Sequence, residues 1–338
     1  MDLKIIGTGR SMPVRAVANE ELTRFLETDD AWIASRTGIR ERRILTEESL
    51  TDLAAQAAMK ALEDAQIDAG TLDLIICPTM QGDLITPSQA CMVQSRIGAG
   101  CPAFDINCAC TGFIYGLDIA AAYLETGRAE TILIVCAEAM SRIVDWTDRG
   151  SCIVFADGAG AVVVTKGQGL KTTHLTACGD DALLRARPDG GNCPLTPEIK
   201  PIERLVMNGP EVYKFAVSAA VRDLQTVIEK DGASLDDVDW FLLHQANRRI
   251  LEAVRNRLNQ PEAKFPSNIA RYGNTSAASL PILLDELNKA DQIKEGQLLA
   301  LSAFGAGLTT GACLIRWHET KGVIKSRTEG NSSDVLIS

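Results

Sequence analysis

The sequence predicts an α/β protein built from two copies of one unit, and three observations carry that prediction. Short unbroken apolar runs alternate with stretches of helical periodicity, the mark of strands covered on both faces by helices. One helix-to-strand passage occurs twice. It runs through Ala69-Gly70-Thr71-Leu72-Asp73 into Leu74–Cys77, and again through Leu235-Asp236-Asp237-Val238-Asp239 into Trp240–Leu243. Asp73 and Asp239 stand 166 positions apart, and so do the runs Thr131–Cys136 and Gln297–Ser302. A repeat of about 165 residues is therefore expected. No Pro/Ser-rich linker separates the copies, which are expected to pack as one body with halves 1–168 and 169–318. The polar stretch 319–338 is expected to be a mobile tail.

Each element has a local reason. The N-terminal Met1–Gly7 reads as a short strand running into a turn. Apolar residues at 54, 57, 58, 61, 62 and 65 form one stripe and predict a helix over Leu53–Ala65. Leu74–Cys77 follows as a buried strand. A helical pattern starts near Asp105–Phe113 and runs through Leu117, Ala120, Ala121 and Leu124, with Gly127 as its stop. Ile132–Cys136 and Ala161–Val164 are further strands. In the second half, apolar positions 212, 215, 216, 219, 220, 224, 227 and 228 predict a helix over Val212–Glu229. Trp240–Leu243 and Leu298–Leu301 read as strands, with a helix carrying Arg248, Arg249, Arg255 and Arg257 between them.

Composition limits the function. The chain has 338 residues, 46% of them hydrophobic and 5% aromatic, enough for a large aliphatic core. A net charge of −10 argues against general nucleic-acid binding. No apolar run approaches the ~20 residues that span a bilayer, and the N-terminus lacks the basic start of a signal segment. A cytoplasmic protein with reduced thiols is expected. There are ten Cys and three His, without a Cys-x-x-Cys pair and with His174, His244 and His318 far apart. No metal site is expected, and most of the cysteines are read as small core residues.

Two reactive side chains stand out by position. Cys110 falls at the predicted start of a helix, where free N–H groups and the dipole favour a thiolate and can hold an oxyanion. A buried structural thiol is the plainer alternative there. His244 closes the strand Trp240–Leu243, and the carboxyl ends of strands are where α/β sheets bind ligands. A turn, Gly273-Asn274-Thr275-Ser276, precedes the next helix. At the 166 spacing Ser276 answers Cys110 and Asn274 answers Cys108, so the two helix starts are expected to meet near a shared centre. Gly305-Ala306-Gly307 is a small-residue turn whose N–H groups can approach a ligand.

Taken together, Ala109-Cys110-Thr111-Gly112-Phe113, His244-Gln245-Ala246-Asn247, Gly273-Asn274-Thr275-Ser276-Ala277-Ala278-Ser279 and Phe304-Gly305-Ala306-Gly307-Leu308-Thr309 resemble the β-ketoacyl-acyl carrier protein synthase III family of the thiolase superfamily. The likeness covers residues 1–317 and implies a thiolase-like fold with duplicated α/β halves in a layered αβαβα body. It implies a cofactor-free acyltransferase that moves an acyl group from acyl-CoA to Cys110 and condenses it with malonyl-acyl carrier protein. His244 and Asn274 would stabilise the enolate left by decarboxylation, and the N–H groups of Cys110 and Ala306 would form the oxyanion hole. The same likeness places Thr28, Trp32, Arg36, Arg149, Gly209 and Asn247 at the CoA, with Trp32 and Arg149 sandwiching its adenine. It gives Lys214 and Arg249 to the carrier protein and Thr86 to the acyl pocket of a partner in a homodimer. Arg40, Arg42 and Arg43 are read as solvated surface.

The chain departs from the family at Thr310, where Trp is frequent, and the small Thr86 suggests room for a longer or branched primer. Relatives that use other acyl acceptors, in secondary metabolism or cofactor synthesis, share the three reactive residues. A papain-like protease also has the order Cys, His, Asn, but lacks these flanking residues and the repeated α/β units.

Overall fold

Two sheets organise the chain, and the helices between them decide where the site lies. The computed structural model describes residues 2–188, 195 and 202–320. Of the predicted tail, residues 321–338 lie outside the described residues. The first sheet runs in the order Lys4–Ser11, Asp157–Thr165, Thr131–Ala139, Leu74–Pro78, Ala103–Ile106. The second runs Trp240–Leu243, Leu298–Gly305, Gly307–Arg316, Leu170–Asp180. In each sheet the parallel strands lie toward one edge, Ala103–Ile106 in the first and Trp240–Leu243 in the second, and the strands toward the other edge are antiparallel. Helix Leu50–Ala65 covers the outer face of the first sheet, and helix Gly209–Asp231 covers that of the second. Helices Gly112–Glu125 and Ser279–Lys289 lie between the sheets, completing the αβαβα layers. Their burial joins both sheets in one apolar core, with Phe113, Leu117 and Leu284 packed among Ile76, Ile134, Leu299 and Leu301.

The predicted elements form, several with longer ends, but the helix expected to begin within Asp105–Phe113 starts at Gly112, after the strand Ala103–Ile106 and the 3₁₀ turn Ala109–Thr111 that carries Cys110. Helix Leu50–Ala65 starts before Leu53 because the Ser49 side chain accepts the Asp52 N–H as its cap. Helix Gly209–Asp231 starts at an Asn208 cap with Pro210 in its first turn. The N-terminal strand does not turn at Gly7 but continues to Ser11. A Cβ on Gly7 would meet Ala61 O at 2.2 Å, and one on Gly9 would meet Ala57 O at 2.3 Å. Both glycines are there because helix Leu50–Ala65 lies directly on the strand, not because the chain bends.

The repeat is present, and its spacing is corrected by one residue in places. Asp73 and Asp239 hold the same post, since Thr131 N–H bonds Asp73 Oδ2 at 3.0 Å and Leu298 N–H bonds Asp239 Oδ2 at 2.8 Å. Thr131 is thus answered by Leu298, 167 positions on, rather than by Gln297. The short 3₁₀ turns Ala109–Thr111 and Ser276–Ala278 are also 167 apart, as are the helix starts Gly112 and Ser279. Asn274 therefore answers Asn107, and Ser276 answers Ala109, not Cys110. An extra residue in the second half between the two landmarks accounts for the shift.

Candidate active site

The two 3₁₀ turns share one backbone design. Asn107 Oδ1 accepts the Ala109 N–H at 3.2 Å, and Asn274 Oδ1 accepts the Ser276 N–H at 2.8 Å. The residue donating each bond is left-handed, with φ 46° at Ala109 and 50° at Ser276. Side chains pay for such a conformation in steric strain, and it persists where surrounding contacts fix it. Each elbow sits against the end of the other half's strand. Strand Leu298–Gly305 meets the Cys110 turn, and strand Thr131–Ala139 meets the Ser276 turn. A Cβ on Gly305 would come within 2.8 Å of Cys110 N, so glycine is what lets this turn close.

Cys110 is buried, at 8% exposure, and Ser276 Oγ lies 3.3 Å from its sulfur. The expectation of a thiol acidified by the helix start is not met. Burial pushes the Cys110 thiol up to about 12, the Ser276 hydrogen bond opposes this, and the Glu138 charge adds to it. His244 is 1% exposed, directly beyond its strand, and its N–H bonds Ser302 O at 2.8 Å. Its Nδ1 is 2.7 Å from Ser279 Oγ, and its ring packs edge-on to Phe304 with centroids 5.4 Å apart. Burial lowers its pKa to about 3, so the imidazole is neutral near pH 7. Asn274 is tied into the backbone on both sides, donating to Val154 O and accepting from Ala156 N–H. Its side-chain oxygen is used by Ser276, which leaves the NH₂ end as the group with donors to spare. The two turns thus bring Asn274, Ser276 and Cys110 into one hydrogen-bonded chain, and Ser279 opens the helix that braces His244.

The turn at Ala306 joins two antiparallel strands, and Ala306 O accepts the Thr309 hydroxyl at 3.0 Å. Thr310, where the family's Trp is absent, is buried and lies 2.6 Å from the Thr176 hydroxyl. Among the residues expected at CoA, Trp32 carries Arg36 and Arg149 over its ring, each guanidinium 4.9 Å from the centroid. Both guanidiniums are within cation–π range of the indole. Arg149 is held by Glu27 O at 2.6 Å. Thr28 has a buried hydroxyl with no hydrogen-bond partner among the described residues. Gly209 opens its helix with free space around it, and Asn247 caps helix Arg248–Leu258 by accepting the Arg249 N–H. Lys214 and Arg249 are exposed near the starts of two helices that pack together, and Lys214 pairs with Glu211. Thr86 is exposed beside Leu84 and Ile85, the latter 99% exposed.

One surface assignment is overturned. Arg42 is fully buried, donating to Asn19 Oδ1 at 2.8 Å and Ile153 O at 3.0 Å. Arg40 is exposed and pairs with Asp30. Sequence reasoning also passed over Glu138, although an acidic residue inside the apolar run Thr131–Ala139 is a visible anomaly. Cys77, Cys136, Cys152 and Cys313 are core residues as expected, and Cys193 lies outside the described residues.

Comparison with known proteins adds independent observations. A family model described as 3-oxoacyl-[acyl-carrier-protein (ACP)] synthase III matches residues 104–179, and the one for the C-terminal part of that protein matches residues 228–317. The chain is 42% identical over 325 residues to a β-ketoacyl-[acyl-carrier-protein] synthase III of Clostridium acetobutylicum, covering 93% of this chain and 98% of that protein. It is 43% identical over 318 residues to the enzyme of that name from Xanthomonas campestris pv. campestris, with the same coverage. The crystal structure of 3-oxoacyl-[acyl-carrier-protein] synthase III from Aquifex aeolicus superimposes with a TM-score of 0.87 at 43% identity, over 93% of this chain and all of that one.

Proposed function

The chain belongs to the β-ketoacyl-[acyl-carrier-protein] synthase III family, and from that premise we propose that Cys110, His244 and Asn274 carry its reaction. The enzyme is an acyltransferase that condenses an acyl-CoA primer with malonyl-acyl carrier protein, initiating fatty acid synthesis. The observation that carries the residue assignment is the hydrogen-bonded chain from Asn274 through Ser276 to the Cys110 sulfur, with neutral His244 braced by Ser279.

Cys110 attacks the primer thioester and keeps the acyl group while CoA leaves. The N–H groups of Cys110 and Ala306 hold the oxygen of that tetrahedral intermediate. Malonyl-carrier protein then loses CO₂. The His244 ring, with Nδ1 engaged by Ser279, offers Nε2–H to the developing enolate oxygen, and the Asn274 NH₂ offers a second donor. Both are neutral donors in a dry site, where such bonds are worth several kcal/mol (about 3 each by analogy with oxyanion-hole donors). The enolate carbon attacks acyl-Cys110 and releases the β-ketoacyl product. This scheme calls for no metal or redox cofactor.

The outer residues fit the same reading. Thr28, Trp32, Arg36, Arg149, Gly209 and Asn247 line the approach for CoA, with Trp32 and Arg149 taking its adenine between them. Lys214 and Arg249 offer positive charge to an acidic carrier protein. The exposed Leu84, Ile85 and Thr86 suit a contact with a second copy, in which Thr86 closes the partner's acyl pocket. The chain divides most naturally as 1–168 and 169–318, one sheet to each half. A cytoplasmic setting fits acyl-CoA chemistry, and no helix among the described residues is long and apolar enough to cross a membrane. Acceptors other than the carrier protein find no support in the names of the relatives reported above.

The test is intact-protein mass after incubation with labelled acyl-CoA, followed by malonyl-carrier protein. An acyl adduct on Cys110 that disappears with CO₂ release supports the reading. His244→Ala is expected to acylate and then stall; normal decarboxylation in that variant would refute the donor role.

A further inference from the structure

Glu138 is the only acidic side chain in the strand Thr131–Ala139, and it is 1% exposed. Its Oε1 lies 3.0 Å from Ser276 Oγ, its Oε2 accepts the Met80 N–H at 3.2 Å, and the Ala277 N–H also bonds the carboxylate. An ionised carboxyl only accepts, and here three donors converge on it. Ser276 Oγ stands between this carboxylate and the Cys110 sulfur, 3.3 Å away. A hydroxyl has one proton and cannot donate both ways. With that proton on Glu138, a lone pair of Ser276 faces Cys110, and the S–H is the donor.

The scheme above leaves one atom without a destination, the thiol proton that must leave before sulfur attacks. His244 is poorly placed to take it, because Ser279 engages one ring nitrogen and burial disfavours the imidazolium. Among the described residues, Ser276 is the side chain hydrogen-bonded to the sulfur. We propose that Glu138, acting through the Ser276 hydroxyl, accepts the Cys110 proton, so that Ser276 is a further catalytic residue and Glu138 its positioning residue and proton reservoir.

The step balances. The S–H proton moves to Ser276 Oγ as the Ser276 proton moves to Glu138 Oε1, and the thiolate adds to the primer carbonyl. The CoA thiolate leaves and takes a proton from solvent. In the second half-reaction the enolate expels Cys110 as a thiolate, and the Glu138 proton returns to it through Ser276. Burial of Cys110 disfavours its thiolate, and a relay that removes the proton as sulfur attacks answers that. Burial also raises Glu138, to about 8, with Asp157 adding to the shift and its three donors opposing it. The titratable groups facing Glu138 are Asp157 on one neighbouring strand, Cys77 on the other, Cys136 on its own strand and Cys110 across the elbow. Cys77 and Cys136 are held well above their ordinary range by burial. Asp157 is raised by burial and bonded by Ser141 and by the Leu45 N–H.

The proposal rests on acylation of Cys110, so the experiment reads that step alone. Single-turnover acylation by acyl-CoA is followed by intact mass from pH 6 to 9.5. The wild-type rate is expected to rise with pH as Glu138 ionises. Glu138→Gln and Ser276→Ala are each expected to slow acylation about 100-fold and to lose that inflection. The double variant is expected to be no slower than the slower single one. A variant that is slow but keeps the wild-type inflection shows Glu138 or Ser276 to be structural only and overturns the relay, as does a wild-type rate in either. Should Glu138→Gln fail to fold, Ser276→Ala decides by the same criteria. Absence of any Cys110 adduct in the wild type at every pH would instead refute the acyltransferase reading.

Discussion

His244 shows how burial selects the state a side chain works in. Its folded pKa of about 3 lies below the unfolded value near 6.5, so the folded chain binds fewer protons in that window. Stability from this group is therefore complete above about pH 6.5 and declines as pH falls toward 3. Urea midpoints at pH 7.5 and pH 5 are expected to show a drop in the wild type that is smaller in His244→Gln; equal drops would refute it. Gly305 is the second residue whose identity is forced. A methyl group there would press on Cys110 N at 2.8 Å, displacing the proposed nucleophile. Gly305→Ala is expected to cut the acylation rate at least about tenfold, because small misplacements of reacting groups are costly. A wild-type rate of Cys110 labelling in that variant would count against this placement.

At the scale of elements, close approach explains what periodicity missed. The strand Lys4–Ser11 reads as ending at Gly7 because a glycine suggests a turn. Its two glycines instead admit helix Leu50–Ala65 against the sheet. Gly9→Ala forces a Cβ into Ala57 O and is expected to destabilise by about 3 kcal/mol, measured by urea unfolding. Gly98→Ala, where a Cβ meets nothing within 4 Å but φ is 72°, is expected to cost about 1 kcal/mol by strain alone. The two elbows teach a related lesson. Glu138 and Gly305 occupy the same post in the two halves, 167 positions apart, each at a strand end against the opposite elbow. One copy uses glycine to let the Cys110 turn close; the other uses a carboxyl that reaches Ser276.

At the scale of the whole molecule, duplication places the site. Each sheet delivers its elbow to the centre, and the two inner helices start there from opposite halves. The shared core of these helices makes the two halves interdependent, so cooperative unfolding in a single transition is expected in calorimetry. Two separated transitions would show halves that fold alone. The exposed Leu84-Ile85-Thr86 segment bears on assembly and specificity together. If it closes a second copy's acyl pocket, Thr86→Phe is expected to shift the primer profile toward acetyl-CoA at least tenfold, with the sedimentation coefficient unchanged. An unchanged profile would dissociate Thr86 from primer choice.

The sequence by itself determined the α/β class, the repeat and the positions of Cys110, His244 and Asn274, because periodicity, apolar runs and turn residues are local properties. It also carried enough of four motifs to identify the family. The exact equivalence of the repeats was not legible, since one residue between landmarks shifts every later match and only strand register reveals it. Nor was the ionisation of the site. Helix position argues for an acidic Cys110, while burial, which depends on packing of both halves, argues the other way and prevails. Arg42 looked like surface and proved to be core for the same reason. Above all, Glu138 and Ser276 are 138 positions apart and became neighbours of Cys110 only when two sheets closed on a common centre. Local sequence sets which side chains are present; desolvation and long-range contact, which arise only in the folded chain, set what they can do.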